Sequence, residues 1–328
     1  MRSLLPATVL LASLATPGYP ADKKNDPNQI GNRDVGRGIN FYSLEKEMAL
    51  GRQLAQEVAR QARLVEDPLI TEYINRIGQN LVRNSDARVP FTFTVIEAEA
   101  ANAFALPGGF VFVQTGLIKM ADEEAELAGA LAHEIAHVAA RHMTRQATKS
   151  QIAGLATIPL SVILGGWTGM AARQAAGVAI PTAFLSFSRH DEAEADFLGL
   201  QYLYAAGYDP TAPVSLFEKL ESLEKKKPGT LAKVFSTHPP DGVRLEKVQQ
   251  EIDRYLPTRP EYVVNTSAYN EVRARLFARQ ARREAEEKDG RPRLRTAPGA
   301  GDAAGSPESG DKSSPDDRPT IRRREWVE

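Results

Sequence analysis

The apolar positions of this chain recur mainly at helical spacing, with one short region of alternation. Ser43 is suited to cap a helix that runs to about Ala62, and Asp67-Pro68 is suited to start a second helix. The second helix has one apolar face, made of Ile70, Tyr73, Ile74, Ile77 and Leu81. Further helices are predicted up to Ala206, where Gly207 is a natural end, and over about 212–224 and 243–255.

The region of alternation lies between the second helix and the later helices. Phe91, Phe93 and Val95 alternate with threonines, as in a half-buried strand. The segment 103–106, a turn at 107–109 and the apolar segment 110–114 then predict a β-hairpin. We therefore expect an α+β fold that is mainly helical, with a small antiparallel sheet beside the helix that follows it.

The segment from His133 to His137, His-Glu-Ile-Ala-His, has the most specific chemistry in the chain. Two histidines four residues apart on a helix project from one face, where both imidazoles can bind a single zinc ion. Glu134 lies about a third of the way around the helix, where it can reach a water on the metal. The alternative interpretation is two histidines on a solvated helix face. The uncharged neighbours Ile135 and Ala136 favour the metal site.

A catalytic zinc needs a third protein ligand and an open position. A third histidine six residues after His137, with a glycine between, is not present, because His142 follows at five residues. The other possibility is a carboxylate from a second helix, where Glu192 and Asp196 are four residues apart and share a face. We expect Glu192 to bind the metal and Asp196 to accept a hydrogen bond from a ligating histidine. Glu194 points elsewhere on that helix and is the weaker candidate; an ordinary acidic helix N-terminus is the competing interpretation.

These motifs resemble the gluzincin zinc metallopeptidases related to the CAAX prenyl endopeptidase and to bacterial HtpX and BepA. The segment 102–109 resembles the part of that family before its active-site edge strand, and 114–117 resembles the end of that strand. The segment 236–240, followed by Arg244, resembles a late active-site loop. The resemblance covers roughly residues 40–256, with the motifs in the family's order, and it implies a zincin-like metallopeptidase domain.

The resemblance also implies roles for individual residues. One zinc ion per chain is expected on His133, His137 and Glu192, with Glu134 as the general base. His238 or Arg244 is expected to donate a hydrogen bond to the developing oxyanion; the alternatives are a loop histidine and a surface arginine. In BepA-like proteins the equivalent histidine can occupy the open zinc position and hold the enzyme latent, which we carry to His238 as a hypothesis. The remaining histidines, His142 and His190, are predicted to be structural.

An edge strand beside the metal would recognise an extended peptide through its backbone, with little dependence on sequence. We predict this role for Gly109, Phe110, Val111, Phe112 and Val113. The expected function is a zinc endopeptidase that hydrolyses unfolded or damaged cell-envelope proteins in protein quality control. The alternatives are a latent or non-catalytic zinc protein that acts as an envelope chaperone or assembly factor, and a hydrolase of small peptides. Glu134 argues against a non-catalytic protein, because a structural zinc site needs no base.

Composition and charge set the wider organisation of the chain. The 328 residues carry a net charge of −1, which gives no support to a nucleic-acid partner, and the absence of cysteine excludes disulfides and a lipoprotein attachment site. Arg2 and the apolar run 4–14 predict a signal peptide over 1–21, and hence a periplasmic or exported protein, soluble or peripherally bound to the membrane. The other predicted parts are a linker over 22–42, the metallopeptidase domain over 43–256, a helical extension over 257–282 and a disordered tail over 283–328. We find no internal repeat, and so predict no tetratricopeptide array.

The segment 152–187 contains few charges, and its first part is long enough to cross a bilayer. Pro159, Pro181 and several glycines interrupt it, and so does Arg173. We therefore favour a buried helical pair over the cleft, or a loop in peripheral contact with the membrane surface, over a true span.

Overall fold

The structure, a computed structural model, describes residues 26–152, 187–226 and 242–289. The chain divides into two units, 1–282 and 283–328. The helices of the described residues are α1 (Leu44–Gln61), α2 (Pro68–Arg83), α3 (Thr115–Met120), α4 (Glu124–Ala139), α5 (His142–Ile152), α6 (Arg189–Ala205), α7 (Ala212–Lys226), α8 (Gly242–Tyr255) and α9 (Ser267–Asp289). The strands are β1 (Thr92–Ile96), β2 (Ala103–Leu106) and β3 (Phe110–Gln114). The predicted α+β class, mainly helical, is confirmed.

Local signals set the helix ends as predicted. The Ser43 hydroxyl accepts a hydrogen bond from the backbone N–H of Lys46 and caps α1, and Pro68 occupies the first turn of α2. After α6 the chain reverses at Gly207, whose φ of 91° is in the left-handed region that favours glycine. These helices therefore begin and end where neighbouring residues in the sequence indicate.

The three strands form one mixed sheet in the order β1-β3-β2. The predicted hairpin is present, because β2 pairs antiparallel with β3. The prediction of a wholly antiparallel sheet is wrong, because β1 pairs parallel with β3, from Thr92 opposite Phe110 to Ile96 opposite Gln114. After β1, the chain forms β2 at the opposite edge of the sheet, and β3 then lies between the two.

The central position of β3 also overturns the predicted peptide-binding strand, since both edges of residues 110–114 are hydrogen-bonded to neighbouring strands. Within the described residues, β2 forms the edge of the sheet that lies beside α4. Gln114 donates from its backbone to the Asn102 carbonyl, which fixes the alternation of hydrogen-bonded pairs along the hairpin. By that alternation the backbone N–H and C=O groups of Ala103 and Ala105 point away from β3.

Helix α4 lies in the core and is buried on nearly every side, as its mostly apolar sequence requires. It packs against α2, α6, α7 and β2. At Gly199 of α6 an added Cβ would lie 3.0 Å from both Cα and N of His133. The glycine therefore allows the backbones of α4 and α6 to approach closely, which brings the acidic residues of α6 to the histidines of α4.

Two predicted boundaries differ from the structure. Arg33, inside the predicted linker, is buried and lies 2.7 Å from Asp86, and Val35 is part of the core. Part of the predicted linker, around Arg33 and Val35, therefore packs against the body. Helix α9 begins only at Ser267 and continues to Asp289, beyond the predicted start of the tail at 283.

Several predictions fall outside the described residues. They concern the signal peptide, residues 153–186 of the nearly uncharged segment, His238, and the tail from residue 290 onward. Among the residues that the structure does describe, no helix combines the length and apolarity of a membrane span.

Candidate metal centre

Three side chains from α4 and α6 converge at one point. Nε2 of His133 lies 3.0 Å from Nε2 of His137, as expected for histidines four residues apart on a helix. Glu192 of α6 faces both rings: its Oε2 is 3.5 Å from Nε2 of His133, and its Oε1 is 3.6 Å from Nε2 of His137. The sequence thus places the first two groups by local spacing, and the packing of α6 on α4 adds the third.

This donor set fits a zinc ion. Ligands about 2.0–2.1 Å from a tetrahedral zinc are about 3.3 Å from one another, and the distances between the three groups lie on either side of this value. Two imidazoles and one carboxylate also form a set that leaves a fourth position for water or substrate. His133, His137 and Glu192 are therefore the residues able to hold such an ion here.

The ring of His133 is held from its other nitrogen by Asp196. Nδ1 of His133 is 3.0 Å from Oδ1 of Asp196, and Arg244 donates to both oxygens of that carboxylate at 2.8 Å. Burial disfavours the charge on His133, but its hydrogen bonds to Asp196 and Glu192 outweigh burial and raise the pKa of the imidazole to about 10. Burial likewise opposes the charge on Asp196, yet the bonds from His133 and Arg244 hold the pKa of this carboxyl below its usual value.

Arg244 is only 8% exposed, so its interpretation as a surface arginine is wrong. Besides its two bonds to Asp196, its Nη2 lies 3.2 Å from Oε2 of Glu192. The guanidinium therefore contacts both carboxylates that face the histidines. The positive charge of Arg244 favours the ionised form of Asp196.

The ring of His137 has a different set of neighbours. Its Nδ1 lies 2.9 Å from Nδ1 of His142, whose Nε2 is 3.1 Å from Oε2 of Glu194. Arg145 donates to the same Glu194 oxygen at 3.1 Å, and the ring of Phe187 stacks on His137 with the centroids 4.2 Å apart. The sequence predicts a structural role for His142 and makes Glu194 only a weak candidate ligand, and no pattern in it indicates Phe187.

Glu134 lies on the part of α4 that faces the sheet, and its side chain is buried. Its Oε2 accepts a hydrogen bond of 2.9 Å from the backbone N–H of Ala105, in edge strand β2. The carboxylate is therefore oriented beside both the histidines and the outward-facing backbone of β2. Residues 109–113, which were the predicted substrate strand, belong to the central strand β3 and the turn before it, so β2 lies between them and the outer edge of the sheet.

A cleft opens next to His133. His133, Glu134 and Asp196 lie along one side, and Arg244 also contributes to its wall. The rest of the wall is apolar and comes from β2, α4, α6, α7 and α8: Ala103, Gly129, Ala130, Gly199, Leu200, Pro213, Leu216, Phe217 and Val248. The cleft can therefore take an apolar side chain next to the polar centre.

A helix that carries His-Glu-x-x-His, a carboxylate from a second helix and a neighbouring edge strand together define a zincin-type peptidase domain. The sequence profile of peptidase family M48 matches residues 68–252, and the chain belongs to this family.

Curated relatives agree with this assignment. The chain is 32% identical over 281 residues to the putative beta-barrel assembly-enhancing protease of Vibrio cholerae, an alignment that covers 84% of this chain and 57% of the relative. It is 34% identical over 266 residues to the beta-barrel assembly-enhancing protease of Yersinia pestis, covering 76% and 54%. It is also 31% identical over 226 residues to the mitochondrial metalloendopeptidase OMA1 of Schizosaccharomyces pombe, covering 67% and 64%. The chain thus spans little more than half the length of the first two relatives.

Proposed function

We propose that this protein is a zinc-dependent endopeptidase that cleaves extended segments of unfolded or damaged cell-envelope proteins. The observation that carries the proposal is the convergence of His133, His137 and Glu192 beside Glu134, whose carboxylate contacts the outer edge of β2. Membership of a peptidase family supports it, and so do relatives named as proteases.

The two histidines and Glu192 would hold the zinc ion, one per chain. When bound, the ion would lower the pKa of a water molecule and polarise the carbonyl of the scissile peptide. Asp196 holds His133 in place through Nδ1, so that Nε2 faces the metal position. Arg244 holds Asp196 in turn.

Glu134 is the proposed general base and acid. It accepts a proton from the attacking water and later delivers it to the nitrogen of the departing amine. The hydrogen bond from Ala105 fixes the orientation of its carboxylate before substrate arrives. The developing oxyanion requires a further donor, and His238 and Arg244 remain our candidates for this role.

Recognition of the substrate is proposed to use β2. The backbone of Ala103 and the carbonyl of Ala105 point away from β3 and are available to an extended peptide. The apolar cleft then takes a side chain of the peptide next to the scissile bond. Only chain segments that are unfolded or flexible can lie extended along this edge, and this suits a protein quality control enzyme.

The proposed location is the periplasm, as a soluble or peripherally membrane-bound protein, with residues 1–21 as a signal peptide. Relatives named for beta-barrel assembly favour substrates of the cell envelope. We retain latency through His238 as part of the proposal, together with contact of the segment 152–187 with the membrane surface.

The test is cleavage of an unfolded protein, casein, by the zinc-loaded chain and by Glu134→Gln. Activity in the parent that disappears in the variant, with one zinc still bound to each, supports the proposal. Zinc binding without cleavage by either protein calls for His238→Ala. Cleavage by that variant indicates a latent enzyme. Its continued inactivity instead counts against latency through His238.

A further inference from the structure

His142 and Glu194 form a second support behind the metal centre that the proposed reaction does not use. We propose that they position His137 through a directed relay, in which Nδ1–H of His137 donates to Nδ1 of His142 and Nε2–H of His142 donates to Glu194. The relay would fix the tautomer and the ring orientation of one metal ligand. The inference rests on the proposed metal site, because the direction of the relay follows from a metal on Nε2 of His137.

The direction follows from the chemistry of imidazole. A neutral ring has one N–H donor and one nitrogen acceptor. Nε2 of His137 faces Nε2 of His133 and Glu192, so its lone pair serves the metal and its proton must lie on Nδ1. Across the 2.9 Å contact Nδ1 of His142 must therefore accept. The proton of His142 then lies on Nε2, where it donates to the Glu194 carboxylate at 3.1 Å.

Burial makes this relay obligatory. His142 is fully buried, so water does not compete for either of its nitrogens. A buried nitrogen that is left without a hydrogen bond destabilises the fold, and the proposed direction satisfies both nitrogens. Arg145 holds Glu194 at the end of the relay, in the way that Arg244 holds Asp196 behind His133. Each histidine ligand is thus supported by a carboxylate that an arginine holds, with one additional imidazole in the case of His137.

A second metal ion on His142, Asp191 and Glu194 is the competing explanation, because these groups also lie close together. A metal on Nε2 of His142 would force its proton onto Nδ1. That N–H would then face Nδ1–H of His137 at 2.9 Å, and two donors would oppose each other. The two carboxylates of this cluster are also already paired with cationic side chains: Arg145 is 3.1 Å from Glu194, and Lys149 is 3.8 Å from Asp191. The relay therefore explains this cluster better than a second ion does.

Protonation of the ring nitrogens can be read directly by NMR. The full chain has five histidines, so labelling with ¹⁵N-histidine gives few signals, and couplings between ring nitrogens and carbon-bound protons report each tautomer. In the zinc-loaded chain we expect a proton on Nδ1 of His137 and on Nε2 of His142. A proton on Nδ1 of His142 would overturn the relay even if zinc is bound. Failure of His133 and His137 to respond to zinc would overturn the proposed metal site as well, so the two failures are distinguishable.

Variants test whether the relay supports metal binding. His142→Asn keeps an acceptor at the position of Nδ1, whereas His142→Phe keeps a ring without an acceptor. We expect zinc affinity, measured against a competing chelator, to fall about 10- to 100-fold in His142→Phe and to be largely retained in His142→Asn. Thr148→Val removes a fully buried hydroxyl from the same helix away from the metal, and is the matched control, with zinc affinity unchanged.

Equal losses in the two His142 variants would show that the ring acts only by packing, and no loss in His142→Phe would also overturn the proposal. If His142→Phe does not fold, the tautomers of the parent chain decide the question alone.

Discussion

Gly199 of α6 lies directly against the backbone of His133 in α4, where an added Cβ would be only 3.0 Å from two backbone atoms. This contact fixes the spacing of the two helices that carry the metal-binding groups. Glu192 lies two turns and Asp196 one turn before Gly199 on the same helix, so any displacement of α6 moves both carboxylates away from the histidines.

We therefore expect Gly199→Ala to weaken both the fold and the metal site. Alanine favours a helix over glycine by about 1 kcal/mol, but overpacking against backbone atoms costs about 1–3 kcal/mol, so the free energy of unfolding should fall by up to about 2 kcal/mol. Urea unfolding of the metal-free chain and zinc affinity measure the two effects. A variant that is more stable and binds zinc as tightly as the parent would contradict the proposed role of this contact.

Arg244 should matter for stability through its pair with Asp196. Both groups are buried, and removal of one partner from a buried ion pair costs about 3–5 kcal/mol because the other charge stays behind. We expect Arg244→Met to lower the free energy of unfolding by an amount of this order. Arg254→Met, at an exposed position of the same helix, removes only a contact of 5.3 Å with the Tyr255 ring; it is the control and should change the free energy of unfolding by no more than about 1 kcal/mol. Similar effects of the two variants in chemical denaturation would refute the argument.

Glu251 of α8 should make stability depend on pH. Burial, followed by the negative charge of Asp196, raises the pKa of Glu251 from its ordinary 4.5 to about 7. Its neutral form is thus favoured by folding, and this contribution is full below pH 4.5 and is lost as the pH rises through about 7. Glu251→Gln keeps a neutral group at every pH. We expect its melting temperature to equal that of the parent at pH 4 and to exceed it at pH 8.

The control for Glu251 is Glu246→Gln, which removes a charge from an exposed position of the same helix. A difference between parent and Glu251→Gln that stays constant from pH 4 to pH 8 would show that the group does not titrate as described.

The apolar cleft should determine the side chain accepted next to the scissile bond. Leu216 lines it, and Leu216→Ala enlarges it. We compare kcat/KM for a peptide with tryptophan at that position with kcat/KM for a peptide with leucine there. We expect the ratio of the first to the second to rise about tenfold, since one apolar contact changes the discrimination between two substrates by about 1–3 kcal/mol. Paired peptides that differ only at this residue provide the measurement. An unchanged ratio, with both rates lowered alike, would mean that the substrate does not enter the cleft.

Short-range interactions made much of this protein predictable from its sequence. The faces of His133 and His137 follow from a spacing of four on a helix, and the ends of α1, α2 and α6 follow from a capping serine, a proline and a glycine. The acidic segment on a second helix suggested Glu192 and Asp196 because such pairs share a helical face. In each case the groups that decide the outcome are within a few residues of one another.

The tertiary structure alone decided the features that depend on distant parts of the chain. Strand β3 is central because β2 pairs with one of its edges and β1 pairs with the other, although β1 and β3 are not consecutive in the chain. The apolar sequence of β3 therefore does not reveal whether its backbone groups are hydrogen-bonded to other strands. His142 meets Glu194, 52 residues later, and Arg33 meets Asp86, 53 residues later. Such pairs form when helices and strands pack together, and packing energy depends on the whole set of surfaces rather than on any local pattern. The sequence by itself determined which residues could bind a metal, and the packing of α6 and the sheet against α4 decided how they are supported and which strand lies at the edge of the sheet beside them.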